Sequence, residues 1–270
     1  MLNLLLASLP VDELNRVLMV LETVPIVRKT VIYKVGDPIK FVYFPSGGLI
    51  GEVASLQDGQ GLEVNSVGRE GAFGISALFG LQHSLHEITV QITGAAWRVE
   101  VDTLRRVGES CPVLKDRMMR YFNATFFEVA QTAACNGRHS VLQRCANKLL
   151  DAYTRSGGMY LPLTHENLAA ALGVRRAGIT NAIAFLEREG SIRCMRGSIE
   201  IIDVDRLRVT ACDCSSSHAK AYKLLFPHIE DTRSLAPAAI ARSYGRSEAA
   251  AWKGAALGAS GATQPKRPVT

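Results

Sequence analysis

Apolar residues recur at helical intervals near the start of the chain: Leu5, Leu9, Leu14, Val17, Leu18 and Leu21 suit a short amphipathic helix broken near Pro10. From about residue 24 to 101 the pattern becomes that of strands. Residues 24–35 are rich in β-branched side chains and run into Gly36-Asp37-Pro38, a turn signal. Phe41-Val42-Tyr43-Phe44, residues 49–56, and the alternating 62–67 and 88–92 read as further strands, with turns expected at Pro45-Ser46-Gly47-Gly48 and at Gln57-Asp58-Gly59. Residues 97–101 close the series. Short strands with turns about every eight to twelve residues predict an antiparallel barrel or sandwich.

Near Cys111-Pro112 the period changes again. Residues 113–136 contain no glycine or proline, and Met119, Phe122, Phe126, Val129 and Ala133 follow one another at heptad-like intervals. Leu114, Met118, Tyr121 and Thr125 make an adjacent stripe. One stripe suffices to pack a helix on its own barrel, so two leave a face for a second copy of the chain. Gly137 is expected to end this helix, with another over 138–153 stopping at Ser156-Gly157-Gly158.

Thr164 then suits an N-cap, and Leu163 and Leu168 a hydrophobic staple, for a short helix over 165–172 that stops at Gly173. Ala169, four residues before Gly173, lets a second helix cross closely, and glycine suits the sharp turn between them. The second helix, 176–189, turns Ile179, Ala182, Ile183 and Leu186 inward. After Gly190, residues 192–194 and 198–202 flank Met195-Arg196-Gly197 as a hairpin with arginine at its tip. This is the pattern of a winged helix-turn-helix. Its second helix enters the major groove by its N-terminal part. The outward positions there are Arg175, Arg176, Ala177, Gly178, Thr180 and Asn181. Arginine can bond a guanine edge with two hydrogen bonds and asparagine an adenine edge, which makes Arg176 and Asn181 the candidate base readers, with Thr180 a third. Arg175, Arg188 and Arg196 are placed for phosphate, and Thr164 and Gly178 complete the DNA-binding candidates.

Charge supports this location. The chain carries 31 Lys and Arg against 25 Asp and Glu, a modest excess compatible with a polyanionic partner. Between Arg138 and Arg208 stand eleven Lys/Arg and seven Asp/Glu, so a surplus of four lies in this one segment. No stretch reaches the ~18 consecutive apolar residues of a membrane span, the N-terminus lacks the basic start of a secretion signal, and six cysteines in 270 residues do not make a disulfide scaffold. Reduced thiols and a cytoplasmic location are expected.

In this order of parts, and in Leu163-Thr164-His165-Glu166-Asn167-Leu168-Ala169-Ala170-Ala171-Leu172-Gly173-Val174, the chain resembles the Crp/Fnr superfamily of bacterial regulators over roughly residues 1–215. The resemblance implies an α+β fold: an antiparallel β-roll of the cyclic-nucleotide-binding, jelly-roll kind (1–111, with the N-terminal helix), a dimerisation helix (112–137) and a winged helix-turn-helix (138–215). An Ala/Gly/Ser-rich tail (229–270) is expected to be disordered. It further implies a homodimer on double-stranded DNA at an inverted repeat, contact with RNA polymerase and a small-molecule effector. Of the recognition-helix residues of the family's cyclic-AMP receptor, only Arg176 matches; Arg175, Ala177 and Asn181 depart.

The sensor departs further. Where cyclic-nucleotide members carry Gly-Glu and then an arginine, this chain has Gly74-Ile75 and His86-Glu87. Isoleucine cannot accept a ribose hydroxyl, and glutamate repels a phosphate, so no cyclic-AMP or cyclic-GMP binding is expected. Iron–sulfur members hold cysteines near the N-terminus, and none precedes Cys111 here. Cys212, Cys214 and His218 are too few ligands for a closed zinc site, His83 and His86 lack a partner ligand, and Gly68, Gly71 and Gly74 read as tight turns. No metal, cofactor or catalytic constellation is expected. The other reading of the pattern is a β-roll signalling module whose C-terminal domain binds protein.

Overall fold

The computed structural model describes residues 2–55, 61–214, 220, 222, 223 and 226. Helices α1 (Leu4–Ala7) and α2 (Val11–Leu18) lie either side of Pro10. The fully buried Asn3 ties α1 to the sheet. Its Oδ1 accepts from Leu5 N at 3.0 Å and Leu6 N at 3.3 Å, and its Nδ2 donates to the carbonyls of Pro45 and Gly71, both at 2.8 Å. Every hydrogen-bonding capacity of that amide is used.

Five antiparallel strands follow: β1 (Glu22–Ile26), β2 (Val31–Tyr33), β3 (Phe41–Ser55), β4 (Gly61–Val67) and β5 (Glu87–Glu100). They run in the order β1-β5-β3-β4, with β2 also on β5. Val42, Phe44, Ile50, Ile88 and Val90 point into a core closed by α1 and α2. Two expectations need correction here. Pro45-Ser46-Gly47-Gly48 is not a turn: β3 runs through it, absorbing the irregularity as register shifts against β5. Gly48 has φ +85°, and a Cβ there would stand 2.6 Å from the carbonyl oxygen of Ile92, so glycine lets the two backbones touch. Likewise β5 is one strand where two were expected, and Val101 opens a helix, α3 (Val101–Glu109), that the apolar pattern did not reveal. The turn expected at residues 57–59 and the tail lie outside the described residues.

Helix α4 (Pro112–Arg138) continues through Gly137, which keeps helical backbone. The stop comes at His139, because Ser140 and Gln143 cap the next helix, α5 (Val141–Ser156), in a reciprocal box. At the other end of α4 the buried Glu13 carboxylate accepts from Val113 N at 3.0 Å and Leu114 N at 2.8 Å, capping a helix start that has no local cap. Leu114, Met118 and Tyr121 are buried against the roll, whereas Met119, Phe122 and Phe126 are exposed, Phe126 to 75%. Val129 is half-buried and Ala133 exposed.

The roll and the C-terminal part share a core: Leu49 and Ile92 pack with Cys145, Leu149 and Tyr153 of α5. Charges join them too. Arg155 of α5 reaches Glu70 at 3.2 Å, Glu128 of α4 at 3.1 Å and the carbonyl of Ser66, and Lys148 pairs with Glu63 of β4. Tyr222 and Phe226, stacked at 4.6 Å, return to the roll–α4 core, the Tyr222 hydroxyl donating to the Glu70 carbonyl. Among the described residues no helix is long and apolar enough to cross a membrane.

Candidate nucleic-acid interface

The C-terminal part builds a helix pair and a small sheet. Helix α6 (His165–Leu172) and helix α7 (Arg176–Arg188) are followed by strands β7 (Ile192–Met195) and β8 (Ser198–Ile201) and helix α8 (Val204–Thr210). A strand that sequence reasoning missed, β6 (Tyr160–Leu161), pairs with β8 and completes a three-stranded wing in the order β6-β8-β7. Two residues are too few to show a period.

Local chemistry sets the geometry. Thr164 and Asn167 cap α6 reciprocally, at 3.2 Å from Asn167 N to Thr164 Oγ1 and 3.1 Å from Thr164 N to Asn167 Oδ1. Gly173 takes φ +60° and ends α6. A Cβ on it would also meet Leu62 of the roll at 2.9 Å. Helix α6 therefore lies against β4, and Arg28 of the roll donates to Asn167 Oδ1 at 2.8 Å. Leu163 and Leu168 both enter the core, and Ile179, Ala182, Ile183 and Leu186 of α7 are buried beneath them.

The opposite face of α7 is open. Arg175, Arg176, Ala177, Thr180, Asn181 and Arg188 are exposed, Gly178 is half-buried, and Arg196 is exposed in the β7–β8 turn beside Gly197 at φ +80°. Among the described residues no side chain caps the N-terminus of α7, which leaves its first N–H groups directed outward. Some of these residues have company. Arg176 Nε lies 3.7 Å from Glu166 with both side chains more than two-thirds exposed, a contact water screens. Thr180 donates to the Arg176 carbonyl at 3.1 Å and stands 3.2 Å from His165 Nδ1, so its hydroxyl is engaged within the protein. Arg188 lies 5.1 Å from the Phe185 ring and 3.7 Å from Glu189. Thr164 serves α6 through its capping bonds. His165, on the same surface, is not among the DNA-binding candidates read from the sequence, because only the crossing of α6 and α7 brings it to Thr180.

In the stretch compared with the cyclic-nucleotide cassette, the three departing residues are engaged within the protein. Ile75 is buried in the roll core. His86 Nδ1 lies 2.8 Å from Glu52, and Glu87 accepts from Thr89 at 3.2 Å.

A second group of side chains comes together where α4 ends. Cys135 and His139 meet Cys212 and Cys214, with all four potential ligand atoms within 4.8 Å of one another. His218, weighed with the last two in the sequence, lies outside the described residues. Burial above all, then the facing sulfurs of Cys212 and Cys214, pushes the Cys135 thiol well above its ordinary range. The signal for Cys135 and His139 was their four-residue helical spacing, but nothing local ties them to residues more than seventy positions on.

Comparison with known proteins agrees with the architecture. Residues 143–210 match the Crp-like helix-turn-helix domain family. The transcriptional regulator SdrP of Thermus thermophilus is 28% identical over 200 residues, which cover 68% of this chain and 95% of that protein. FixK2 from Bradyrhizobium japonicum has the same fold at a TM-score of 0.61 and 16% identity, with 72% of this chain and 98% of that one covered. A CRP-family regulator, also from Thermus thermophilus, aligns at a TM-score of 0.59 and 22% identity, covering 70% and 96%. The fold is thus a cyclic-nucleotide-binding-like roll joined to a Crp-like helix-turn-helix. The chain is similar to transcription regulators of the Crp/Fnr type, and its residues 143–210 form a Crp-like helix-turn-helix.

Proposed function

We propose that this regulator binds an inverted-repeat operator in the cytoplasm as a homodimer, with α7 of each copy in the major groove. Most of the reading rests on one observation: the inner face of α7 is buried at Ile179, Ala182, Ile183 and Leu186, while Arg175, Arg176 and Asn181 stand exposed on the outer face. A helix used only for packing has no need of groove-sized polar residues there. Arg176 and Asn181 read base edges; Arg175, Arg196 and Arg188 hold phosphate, as do the free N–H groups at the start of α7. Thr180, with its hydroxyl already engaged, contributes its methyl group, and Thr164 and Gly178 shape the helix pair. The exposed Met119, Phe122 and Phe126 of α4, with Val129 and Ala133, form the seam for the second copy. Half-site centres then fall about one helical turn apart, near 34 Å.

The signal is one other than cyclic AMP or cyclic GMP. Ile75 stands in the core where a ribose partner would be needed, and His86 is committed to Glu52. A pocket between the roll and α6, whose wall includes Arg28, Lys29, Gln91, Lys148 and Asn167, offers an effector a place from which to bias the two parts. RNA polymerase is the protein partner in this reading.

A salt titration of binding to a site selected from random duplexes tests the proposal. Contact with several phosphates gives a log–log slope near −0.9 per phosphate neutralised. A flat salt response, or no enrichment of any duplex, would overturn the reading.

A further inference from the structure

We infer that Cys135, His139, Cys212 and Cys214 form a site for a single tetrahedral divalent cation of zinc-like chemistry, joining the end of α4 to the segment that follows α8. The distances carry it. Cys135 Sγ lies 3.6 Å from Cys212 Sγ, and His139 Nδ1 lies 3.4 Å from Cys135 Sγ and 3.5 Å from Cys214 Sγ. A tetrahedral zinc ion with bonds of about 2.3 Å to sulfur and 2.0–2.1 Å to nitrogen places its ligands about 3.7 Å apart for two sulfurs and about 3.5 Å for sulfur and nitrogen. The three separations match the edges of that tetrahedron. Three cysteines and one histidine complete a closed structural set, with no position left for water. Because all four ligand atoms fall within 4.8 Å of one another, the space suits one ion and not a polynuclear iron–sulfur core, which spreads its cysteines farther.

The surroundings fit as well. Gln131 Nε2 lies 3.4 Å from Cys214 Sγ, an N–H directed at the sulfur. On the far side of the ring, His139 Nε2 faces Asp213 Oδ1 at 3.9 Å, a carboxylate beside the nitrogen that a metal-bound imidazole leaves free, though beyond direct hydrogen-bond reach. Cys135, Cys212 and Cys214 are buried and form no disulfide. On binding, the three thiols release their protons to solvent and the sulfurs become thiolates, giving a centre with a net charge of one minus. The ligands come from two places: α4 and its C-cap, and the chain leaving the winged domain. An ion here fastens the DNA-binding domain to the long helix at the joint between them. That consequence rests on the proposed function; the metal site does not.

The full chain, purified reduced and without added metal, is loaded with cobalt(II), desalted and then titrated with zinc. One ion retained per chain, the intense visible bands of tetrahedral cobalt and a thiolate-to-cobalt charge-transfer band are expected, and zinc displaces them stoichiometrically. Cys135→Ser and Cys212→Ser lower retention roughly tenfold or more, whereas Cys194→Ala, outside the cluster, leaves it unchanged. A fold-independent check uses the unaltered chain: bound zinc slows alkylation of Cys135, Cys212 and Cys214, and a chelator restores it. Pale octahedral cobalt lost on desalting, full retention in Cys212→Ser, or thiols alkylated equally with and without zinc would each overturn the site. Because metal content is read without DNA, a chain that loads zinc but binds no operator leaves this inference standing and removes only the functional one.

Discussion

Arg176 and Glu70 show how differently two charged residues act in this molecule. Arg176 is exposed, its contact with Glu166 is screened, and it can leave that partner for a guanine edge at small cost. Arg176→Ala is expected to weaken the selected operator by ~1–3 kcal/mol and to relax preference at one base pair. Competition binding against a panel of single-base variants reads both, and equal loss on selected and random DNA would remove Arg176 as a reader. Glu70 is the opposite case. Burial, opposed in part by Arg155, raises its protonation point above the ordinary glutamate value of 4.5. One of its oxygens meets Gly68 N at 3.0 Å and Arg155 at 3.2 Å, while the other has no hydrogen-bond partner among the described residues. The folded chain therefore keeps this proton to higher pH than the unfolded chain does. The resulting stabilisation is complete below the ordinary glutamate range and is lost as pH rises through the raised value. Glu70→Gln should flatten that part of the stability–pH curve, as measured by urea midpoints at successive pH values. An unchanged slope would place its origin elsewhere.

Among the elements, those with local punctuation were legible in the sequence. Thr164 and Gly173 bracket α6 with a cap and a left-handed turn, and the inward spacing of Ile179, Ala182, Ile183 and Leu186 defines α7 without help from the rest of the chain. Strands β3 and β5 were cut in two because glycines and a proline that usually turn the chain here accommodate bulges between paired backbones. Gly137 misled in the same way, since a helix stop depends on what caps the next helix as well as on the glycine itself. Two stripes on α4 were visible, but only the structure shows which one the roll covers. With Leu114, Met118 and Tyr121 buried and Phe126 left 75% exposed, Phe126→Asp puts a charge in the proposed seam without touching the core. Self-association should weaken by ~2 kcal/mol or more, about thirtyfold, with the thermal midpoint of the dilute chain little changed. Sedimentation across a concentration series measures the first quantity, and a variant that associates as the parent does would place the seam elsewhere.

For the whole molecule, what matters is how the roll and the DNA-binding domain hold each other, and this was the least legible part. Lys148 and Arg155 sit on an amphipathic α5, and both side chains are about nine-tenths covered. Their partners Glu63, Glu70 and Glu128 come from β4, the turn after it and α4, so the pairing exists only once three distant segments have assembled. Arg155 is the shared member: it faces Glu70 and Glu128 at once and also meets the Ser66 carbonyl. Removing it leaves two carboxylates buried side by side with no cation between them, which costs more than the loss of one surface pair. Arg155→Met should lower unfolding stability by ~3–5 kcal/mol. Adding Glu128→Gln to that variant should recover part of the loss, because one stranded charge is then gone. The sign of that coupling in urea denaturation separates a buried electrostatic joint from simple loss of packing: if the second substitution only adds to the first, the charges do not hold the two domains together. If it restores stability, the segments are held at this point by charge, with the Arg155 guanidinium flanked by two acids from two different segments.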